Sequence, residues 1–381
     1  MQRHFDILGV LLTLAGPSKW IEPLAIAYRR FEVPRAGSAT TGLDIRVNER
    51  EIRIDGHATP LVPSLDPQIQ IHHRLQAALM DAIDSVAVLH AAALVDHEGG
   101  ALLLAGPSGH GKSSLALEAA TRGYGFLSDD YAPLELDTSR IRPFPRAVAV
   151  RPGSKAPIPE SFRAASDAAT SVRLFGKSLL DVGEHLGEDA LARDPVPLRN
   201  VIVLSSDAEH NGPHEEATRV GLAVARQHAD ELHARFASTA GVEIVEKRDE
   251  PHWTLWRLRL DPTQRPTEAL SEVFDGERVV LFEKTWCGEP DFAAAPVATP
   301  IRRREAAALL GREMLNRRKK SALLKRYGGN VAELFLDLAG ALREVACWRL
   351  RVGGVRETAD LIETLVGCRT ESRVRPESAA S

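Results

Sequence analysis

Cysteines and aromatic residues are scarce in this chain. Three of its 381 residues are cysteines, at positions 287, 347 and 368, and aromatic side chains make up 5% of it. The cysteines are odd in number, far apart and without a C-x-x-C spacing. We therefore expect neither a zinc site nor a disulfide framework, and a reducing compartment fits best. So few aromatic residues also argue against a surface that stacks nucleic-acid bases.

The chain also lacks a strong excess of either charge sign and a long apolar run. The 48 basic and 52 acidic residues leave a formal net charge of −4, which provides no general attraction to nucleic acid or to an anionic membrane. The apolar stretch at residues 7–15 is too short for a membrane span, and its flanks indicate a buried strand rather than a signal peptide. We expect a cytoplasmic protein with no nucleic-acid and no membrane partner.

The pattern of apolar residues predicts an α/β protein built from several segments. With 44% hydrophobic residues the chain can form a large core. Strand and helix periods alternate after the first segment, and strands at 200–205 and around 242–260 are expected to continue one sheet. The predicted segments are a small α+β N-terminal unit at 1–62, an α/β core at 68–300, a helical C-terminal region at 301–365 and a disordered tail at 366–381.

A glycine-rich motif carries the clearest chemical signal. Residues 106–113, here called the glycine loop, read Gly-Pro-Ser-Gly-His-Gly-Lys-Ser and fit the P-loop pattern G-x-x-x-x-G-K-S/T. An apolar strand pattern precedes the loop and a helix pattern follows it, which disfavours a chance glycine-rich turn. Loop amides would face phosphate oxygens, Lys112 the β and γ phosphates, and Ser113 a Mg²⁺ ion. The predicted nucleotide-binding residues are Gly106, Pro107, Ser108, Gly109, His110, Gly111, Lys112, Ser113 and Ser114.

Two carboxylates and a histidine flank this motif in the sequence. Asp129 and Asp130 end the strand that follows the loop helix, and the carboxyl ends of parallel strands open on one edge of a sheet. One carboxylate can hold Mg²⁺ and the other can accept a proton from a hydroxyl; alternatively, both cap the following turn. His90 lies in an apolar strand before the glycine loop, where it is either a core histidine or a functional group.

The order of these features resembles a known family. Leu-His-Ala-Ala-Ala at 89–93, the glycine loop, Arg-Gly-Tyr at 122–124 and Ser-Asp-Asp at 128–130 follow one another. This order resembles the HPr kinase/phosphorylase family, and more closely its shorter HprK-related kinases, which occur in bacterial clusters for modified peptides such as lasso peptides. The resemblance is clear over about residues 70–155, weaker to about 365, and absent from the first 60 residues.

The resemblance implies a fold, cofactors and roles for site residues. The fold would be the P-loop core shared with phosphoenolpyruvate carboxykinase, and the cofactors would be ATP and Mg²⁺. By position it assigns the family's catalytic aspartate to Asp130, its neighbour to Asp129 and the family histidine to His90. Together with the roles inferred from the residues themselves, the predicted catalytic set is Asp130, Lys112 and His90, and the predicted metal ligands are Ser113 and Asp129.

One segment departs from the family pattern. The family carries an acidic Glu-x-Arg-Gly segment after the aspartates, whereas residues 145–153 of this chain contain no acid. This difference argues against HPr as the acceptor and against a reverse, phosphorylase reaction. Arg146 and Arg151 of this segment either contact phosphate or an acidic substrate, or they are solvated surface.

Three functions remain open at this point. The leading hypothesis is an ATP-dependent kinase that transfers the γ-phosphoryl group to a Ser/Thr hydroxyl of a peptide or protein, such as a peptide natural-product precursor. The alternatives are a nucleotide-dependent switch or ATPase acting through a protein partner, and a small-metabolite kinase. A homo-oligomer is also left open.

Three further sequence features receive predictions. Arg199 is expected to face the nucleotide, and residues 210–216 to form a mobile loop. The basic clusters at 302–304 and 317–320 are interpreted as solvated helix faces, with a docking face for an acidic leader peptide, or for nucleic-acid phosphates, as the alternatives.

Overall fold

The computed structural model describes most of the chain. The described residues are 1–34, 41–62, 66–151, 156–168, 171–174, 176–206, 218–249, 253–261, 279–285 and 290–367. The predicted loop at 210–216, two of the three cysteines and the tail from residue 368 lie outside them. Within the described part of the chain, every helix is too short or too polar to cross a membrane.

The described residues among the first 62 form a five-stranded sheet with one α-helix. Its elements are β1 Gln2–Ile7, β2 Val10–Ala15, α1 Ser18–Ala27, β3 Thr41–Val47, β4 Glu51–Ile54 and β5 His57–Pro60. The strands pair in sequence order, and only β2 and β3 are parallel, because α1 crosses between them. Alternate residues of β1 and β2 are buried, as expected of strands with one covered face.

The rest of the chain contributes sixteen strands and nine helices to the described structure. The strands are β6 Ala87–Leu89, β7 Ala91–Val95, β8 Ala101–Ala105, β9 Gly125–Ser128, β10 Ala132–Glu135, β11 Arg140–Ile141, β12 Val148–Val150, β13 Arg173–Leu174, β14 Lys177–Leu180, β15 Val196–Ser205, β16 Thr218–Ala225, β17 Val242–Asp249, β18 Trp253–Leu260, β19 Val279–Thr285, β20 Val297–Pro300 and β21 Ala346–Arg351. The helices are α2 Pro67–Ala82, α3 Lys112–Thr121, α4 Glu160–Asp167, α5 Val182–Leu186, α6 Ala229–Ser238, α7 Arg303–Glu313, α8 Ala322–Arg326, α9 Val331–Ala341 and α10 Val355–Gly367.

The core sheet places three strand ends at one edge. Its strands lie in the order β9, β7, β8, β15, β21, β20, and β8, β15 and β21 are parallel. Because β7 is antiparallel to both β8 and β9, those two strands run in the same direction. The carboxyl ends of β8 and β9 and the amino end of β7 therefore share one edge.

Helices cover both faces of this sheet. All five residues of β8 are buried, which is typical of a strand covered on both sides. Leu102 and Leu104 pack with residues of α3 and α10 on one face. Leu103 packs with residues of α7 and α9 on the other. The result is a three-layer α/β core, in agreement with the predicted fold class.

Three sequence predictions about strands were wrong or incomplete. The apolar strand predicted around His90 is in fact two strands, β6 and β7, because β6 pairs with β10 while β7 pairs with β8 and β9. The strands around 242–260 do not continue the core sheet; they pair with β16 in a separate antiparallel sheet. The C-terminal region, predicted as helical, contains β21 next to β15. Alternation of apolar and polar residues predicts a strand but does not specify the strand with which it pairs.

The N-terminal unit is packed against the core. The Phe31 ring stacks on Phe144 with 4.6 Å between centroids, and the Ala147 N–H donates to the Ala27 carbonyl at 3.1 Å. Arg29 and Arg30 both pair with the buried Asp181 at the start of α5, the Arg29 ion pair measuring 2.8 Å. Apolar residues of α1, α2 and the β1–β4 strands form one cluster with Phe144 and Tyr131.

Candidate active site

The glycine loop connects the end of β8 to the start of α3. Gly106 follows β8 directly with φ +149°, and Gly111 precedes α3 with φ +82°. A Cβ on Gly106 would stand 2.8 Å from the carbonyl oxygen of Leu204 on the neighbouring β15. The backbone of the loop thus runs so close to the sheet that glycine is required there.

This close approach predicts unequal effects of two alanine substitutions. Gly106 and Gly109 both have positive φ, but a Cβ on Gly109 would meet no atom within 4 Å. We expect Gly106→Ala to lower the free energy of unfolding by about 1–3 kcal/mol more than Gly109→Ala, because only the first adds a clash to the backbone strain. Denaturant unfolding of both variants measures the difference. Equal losses would contradict the prediction.

Lys112 places its ammonium group inside the loop. The side chain is buried, and Nζ donates to the carbonyl oxygens of Gly106 at 2.7 Å and Pro107 at 3.1 Å. Burial lowers the pKa of Lys112, and the nearby carboxylates of Asp130 and Glu313 act in the opposite direction. The Lys112 side chain is thus held by carbonyls of the loop itself, and the carboxylates around it favour its charged form.

Ser113 and Asp129 form the first contact between the loop and β9. The Ser113 hydroxyl lies 3.0 and 2.9 Å from the two carboxylate oxygens of Asp129. Asp129 is fully buried, and burial, followed by the charge of Asp130, raises its pKa. The sequence prediction that these two residues lie together agrees with this geometry.

The oxygen atoms of Ser113 and Asp129 are of the kind that Mg²⁺ accepts as ligands. Mg²⁺ prefers oxygen ligands and is usually held by one or two carboxylates plus phosphates and waters. Among the described residues, no group of three or more His, Cys, Asp or Glu side chains converges to hold a metal. Ser113 and Asp129 could thus supply part of a Mg²⁺ coordination shell, and ligands from outside the protein would have to complete it.

Asp130 is the more accessible carboxylate of the pair. Its side chain is 28% exposed, whereas Asp129 is 0% exposed. Its backbone has φ +63°, a left-handed conformation that aspartate tolerates better than most residues. Burial raises the pKa of Asp130, but the charge of Arg146, with smaller contributions from the other basic side chains around the carboxylate, outweighs burial, so the pKa is lowered overall. Asp130 therefore stays ionised at neutral pH.

Arg146 forms an ion pair with the Asp130 carboxylate. The Nη2 atom of Arg146 donates to Oδ2 of Asp130 at 3.2 Å, and its guanidinium group lies 4.5 Å from the centroid of the Tyr131 ring. The side chain is 4% exposed, and Tyr28 of the N-terminal unit lies on it at 5.9 Å. Arg151, in contrast, is exposed. Sequence reasoning named both arginines but could not predict the contact with Asp130.

His90 lies at the bend between β6 and β7 rather than within a strand. Its Nε2 is 3.8 Å from Oδ1 of Asp130, and its Nδ1 is 3.1 Å from Oε2 of Glu313 at the end of α7. The side chain is 29% exposed, so His90 is not a fully buried core histidine. Glu313 was missed, because no sequence motif surrounds it and 223 residues separate it from His90.

Two further loop residues, His110 and Ser114, are buried, and Arg199 lies away from the loop. His110 is buried in the loop, where burial lowers its pKa to about 4, and the Ser114 hydroxyl donates to the Ala156 carbonyl at 3.2 Å. The prediction that Arg199 faces the nucleotide was wrong. Arg199 packs on Gly100, where a Cβ would stand only 2.5 Å from the Arg199 Cγ. Gly100 precedes the amino end of β8, so Arg199 lies at the edge of the sheet opposite to the glycine loop.

The basic cluster at 317–320 has structural partners. Arg318 pairs with Asp81 of α2 at 2.8 Å, and Lys320 lies 3.5 Å from the same carboxylate. Arg317 donates to the carbonyl of Gly311 at 3.0 Å. These contacts support a structural role for part of the cluster and do not favour a docking face for acidic ligands.

Fold and site together describe an α/β chain in which a glycine loop of the P-loop pattern meets two carboxylates at one sheet edge. No family model matches the chain. Over 81 residues, it is 35% identical to the HPr kinase/phosphorylase of Nitrosomonas europaea. This match confirms the resemblance to that family seen in the sequence. It spans 21% of this chain and a quarter of the length of the curated relative.

A solved structure is also similar over part of the chain. The Hpr(Ser) kinase/phosphatase from Coxiella burnetii shares 20% sequence identity, over 33% of this chain and 69% of that chain, with a TM-score of 0.22. A TM-score this low does not establish a common fold.

Proposed function

We propose that this chain is an ATP-dependent kinase that transfers the γ-phosphoryl group to a serine or threonine hydroxyl of a peptide or protein. The observation that carries the proposal is the contact between the glycine loop and the aspartate pair, made by Ser113 and Asp129 at 2.9–3.0 Å. Lys112 and Asp130 lie at the same edge of the sheet. This combination supports the proposal, because phosphoryl transfer needs a phosphate cradle, a metal site and a carboxylate that a hydroxyl can reach.

The loop residues would bind the nucleotide. Backbone amides of the glycine loop and the first turn of α3 favour phosphate oxygens through their N–H groups and the helix dipole. Lys112 would exchange its contacts with loop carbonyls for the β and γ phosphates. Ser113 and Asp129 would hold Mg²⁺, which when bound neutralises phosphate charge.

Asp130 would act on the acceptor hydroxyl. In the proposed step the hydroxyl oxygen forms a bond to the γ phosphorus, the bond from that phosphorus to the β,γ-bridging oxygen breaks, and ADP leaves. The hydroxyl proton passes to the Asp130 carboxylate. A low pKa makes Asp130 a weak base, but phosphoryl transfer depends mainly on positioning and charge stabilisation, so orientation of the hydroxyl is its larger contribution.

The acceptor class comes from the resemblance. The matched relative is named an HPr kinase/phosphorylase, and the resemblance to that family is the reason for proposing a polypeptide acceptor. The absence of an acid at residues 145–153 disfavours HPr itself. We therefore propose a peptide acceptor, such as a natural-product precursor.

Incubation with ATP labelled at the γ-phosphate, in the presence of Mg²⁺, tests this function. Separate reactions contain HPr, a candidate precursor peptide or no acceptor. We expect label on a serine or threonine of the peptide and little on HPr. Release of inorganic phosphate without a labelled acceptor would instead favour the ATPase or switch, and label on small metabolites would favour the metabolite kinase.

A further inference from the structure

Glu313 and His90 are joined by two hydrogen bonds at the edge of the candidate site. Oε2 of Glu313 lies 3.1 Å from Nδ1 of His90, and the His90 backbone N–H donates to the Glu313 carbonyl at 2.8 Å. The side chains are 29% exposed for His90 and 21% for Glu313. His90 therefore has a carboxylate on each side, Glu313 at Nδ1 and Asp130 at Nε2.

The backbone after Glu313 is fixed by further hydrogen bonds. The Leu315 N–H donates to the Val88 carbonyl at 2.8 Å. Asn316 is fully buried; its Oδ1 accepts from the Val88 N–H at 3.0 Å and its Nδ2 donates to the Val86 carbonyl at 2.8 Å. The segment after α7 thus runs beside β6 as far as His90. These hydrogen bonds fix the backbone of Glu313 next to His90, which brings its carboxylate within reach of Nδ1.

We propose that Glu313 is a positioning residue that sets the tautomer and orientation of His90. A carboxylate offers only acceptor oxygens, so its contact with Nδ1 requires Nδ1–H to donate. Nε2 is then the nitrogen that faces Asp130, at 3.8 Å, which is beyond hydrogen-bond distance. When His90 is neutral, Nε2 carries the lone pair, so a hydroxyl bound beside Asp130 would be able to donate to it; a carboxylate that fixes the other ring nitrogen orients a histidine in this way.

The effect of Glu313 on the rate of phosphoryl transfer rests on the proposed function, whereas its effect on the tautomer of His90 does not. His90 would help to orient the acceptor hydroxyl beside Asp130, and Glu313 would act only through His90. The effect of losing Glu313 on phosphoryl transfer should therefore depend on the presence of His90.

The tautomer can be measured in the full chain by NMR. Long-range ¹⁵N–¹H spectra of protein with ¹⁵N-labelled histidine, recorded at about pH 9 where imidazole side chains are neutral, identify which ring nitrogen carries the proton. A His90→Ala variant assigns the signal. We expect Nδ1–H in the wild type and a shift towards Nε2–H in Glu313→Ala. Glu313→Gln, which keeps an oxygen acceptor, should retain more of the Nδ1–H form.

Glu305 provides the matched control for this measurement. It is on the same helix, and its carboxylate pairs with Arg349 at 2.8 Å. Glu305→Ala should leave the His90 signal unchanged. A wild-type signal of the Nε2–H form, or no change in Glu313→Ala, would overturn the proposal whether or not the chain is a kinase.

A double-mutant cycle tests the kinetic part. We expect Glu313→Ala to slow phosphoryl transfer about 10-fold when His90 is present and to have no further effect in the His90→Ala background. Additive losses would show that Glu313 does not act through His90. If the wild type transfers no phosphoryl group, the proposed function fails, and the tautomer still decides the role of Glu313.

Discussion

Asp130→Asn is expected to slow phosphoryl transfer by about 10²–10⁴-fold while the chain stays folded and keeps most of its affinity for ATP. Asparagine has nearly the same shape and tolerates the left-handed backbone at φ +63°. Its amide oxygen can still accept from Arg146, but it lacks the negative charge with which Asp130 would orient the acceptor hydroxyl and take up its proton. Initial rates with labelled ATP and calorimetric titration of ATP give the two quantities.

Asp137→Asn is a suitable control for this substitution. Asp137 is exposed and bonds only its neighbouring Thr138 N–H among the contacts described, at 2.9 Å. The same chemical change there should leave transfer at the wild-type rate. If Asp130→Asn also transfers at the wild-type rate, Asp130 is not the base, and Asp129, whose pKa is raised by burial, becomes the carboxylate to test.

Lys112→Met is expected to weaken ATP binding by roughly 10- to 100-fold, because a charge-assisted contact is worth about 1.5–3 kcal/mol. Methionine keeps most of the aliphatic volume of the buried side chain but has no positive charge for the β and γ phosphates. The cost to folding should be smaller, since burial of the ammonium is itself unfavourable. Calorimetric titration of ATP·Mg²⁺ and thermal unfolding separate the two effects.

Lys325→Met tests whether loss of any lysine has this effect. Lys325 is exposed on α8, in the C-terminal region, and its loss should leave ATP affinity within about twofold of the wild type, because one distant surface charge is screened by salt. Equal ATP affinities of the wild type and Lys112→Met would contradict the assignment of the glycine loop to phosphate binding.

The loop and the aspartate pair could be predicted because their signals are local. Residues 106–113 specify their own turn, and the apolar strand before them and the helix after them follow from short-range patterns. Asp129 and Asp130 come directly after β9, and strands that run in the same direction bring such ends to one edge. To predict that these aspartates lie near Ser113, it was therefore enough to know the fold class and the length of the helix that follows the glycine loop.

The partners of His90 and Asp130 could not be predicted in the same way. His90 lies at a bend because its two flanking strands pair with different neighbours, and strand pairing depends on tertiary contacts. Glu313 reaches it from the end of α7, which is placed by packing against the core sheet and by the Asn316 hydrogen bonds. The contact of Arg146 with Asp130 depends in turn on aromatic residues from two parts of the chain.

By itself, the sequence determined the α/β class, the glycine loop and the order of motifs that resembles the HPr kinase/phosphorylase family. Each of these is encoded in short, continuous stretches of residues. Only the tertiary structure decided which charged groups surround Asp130, that strands 242–260 form a separate sheet, and that the N-terminal unit packs beside Arg146. These features join residues that are distant in the chain. Their positions follow from burial of apolar surface and from hydrogen bonds between elements, which no local pattern encodes.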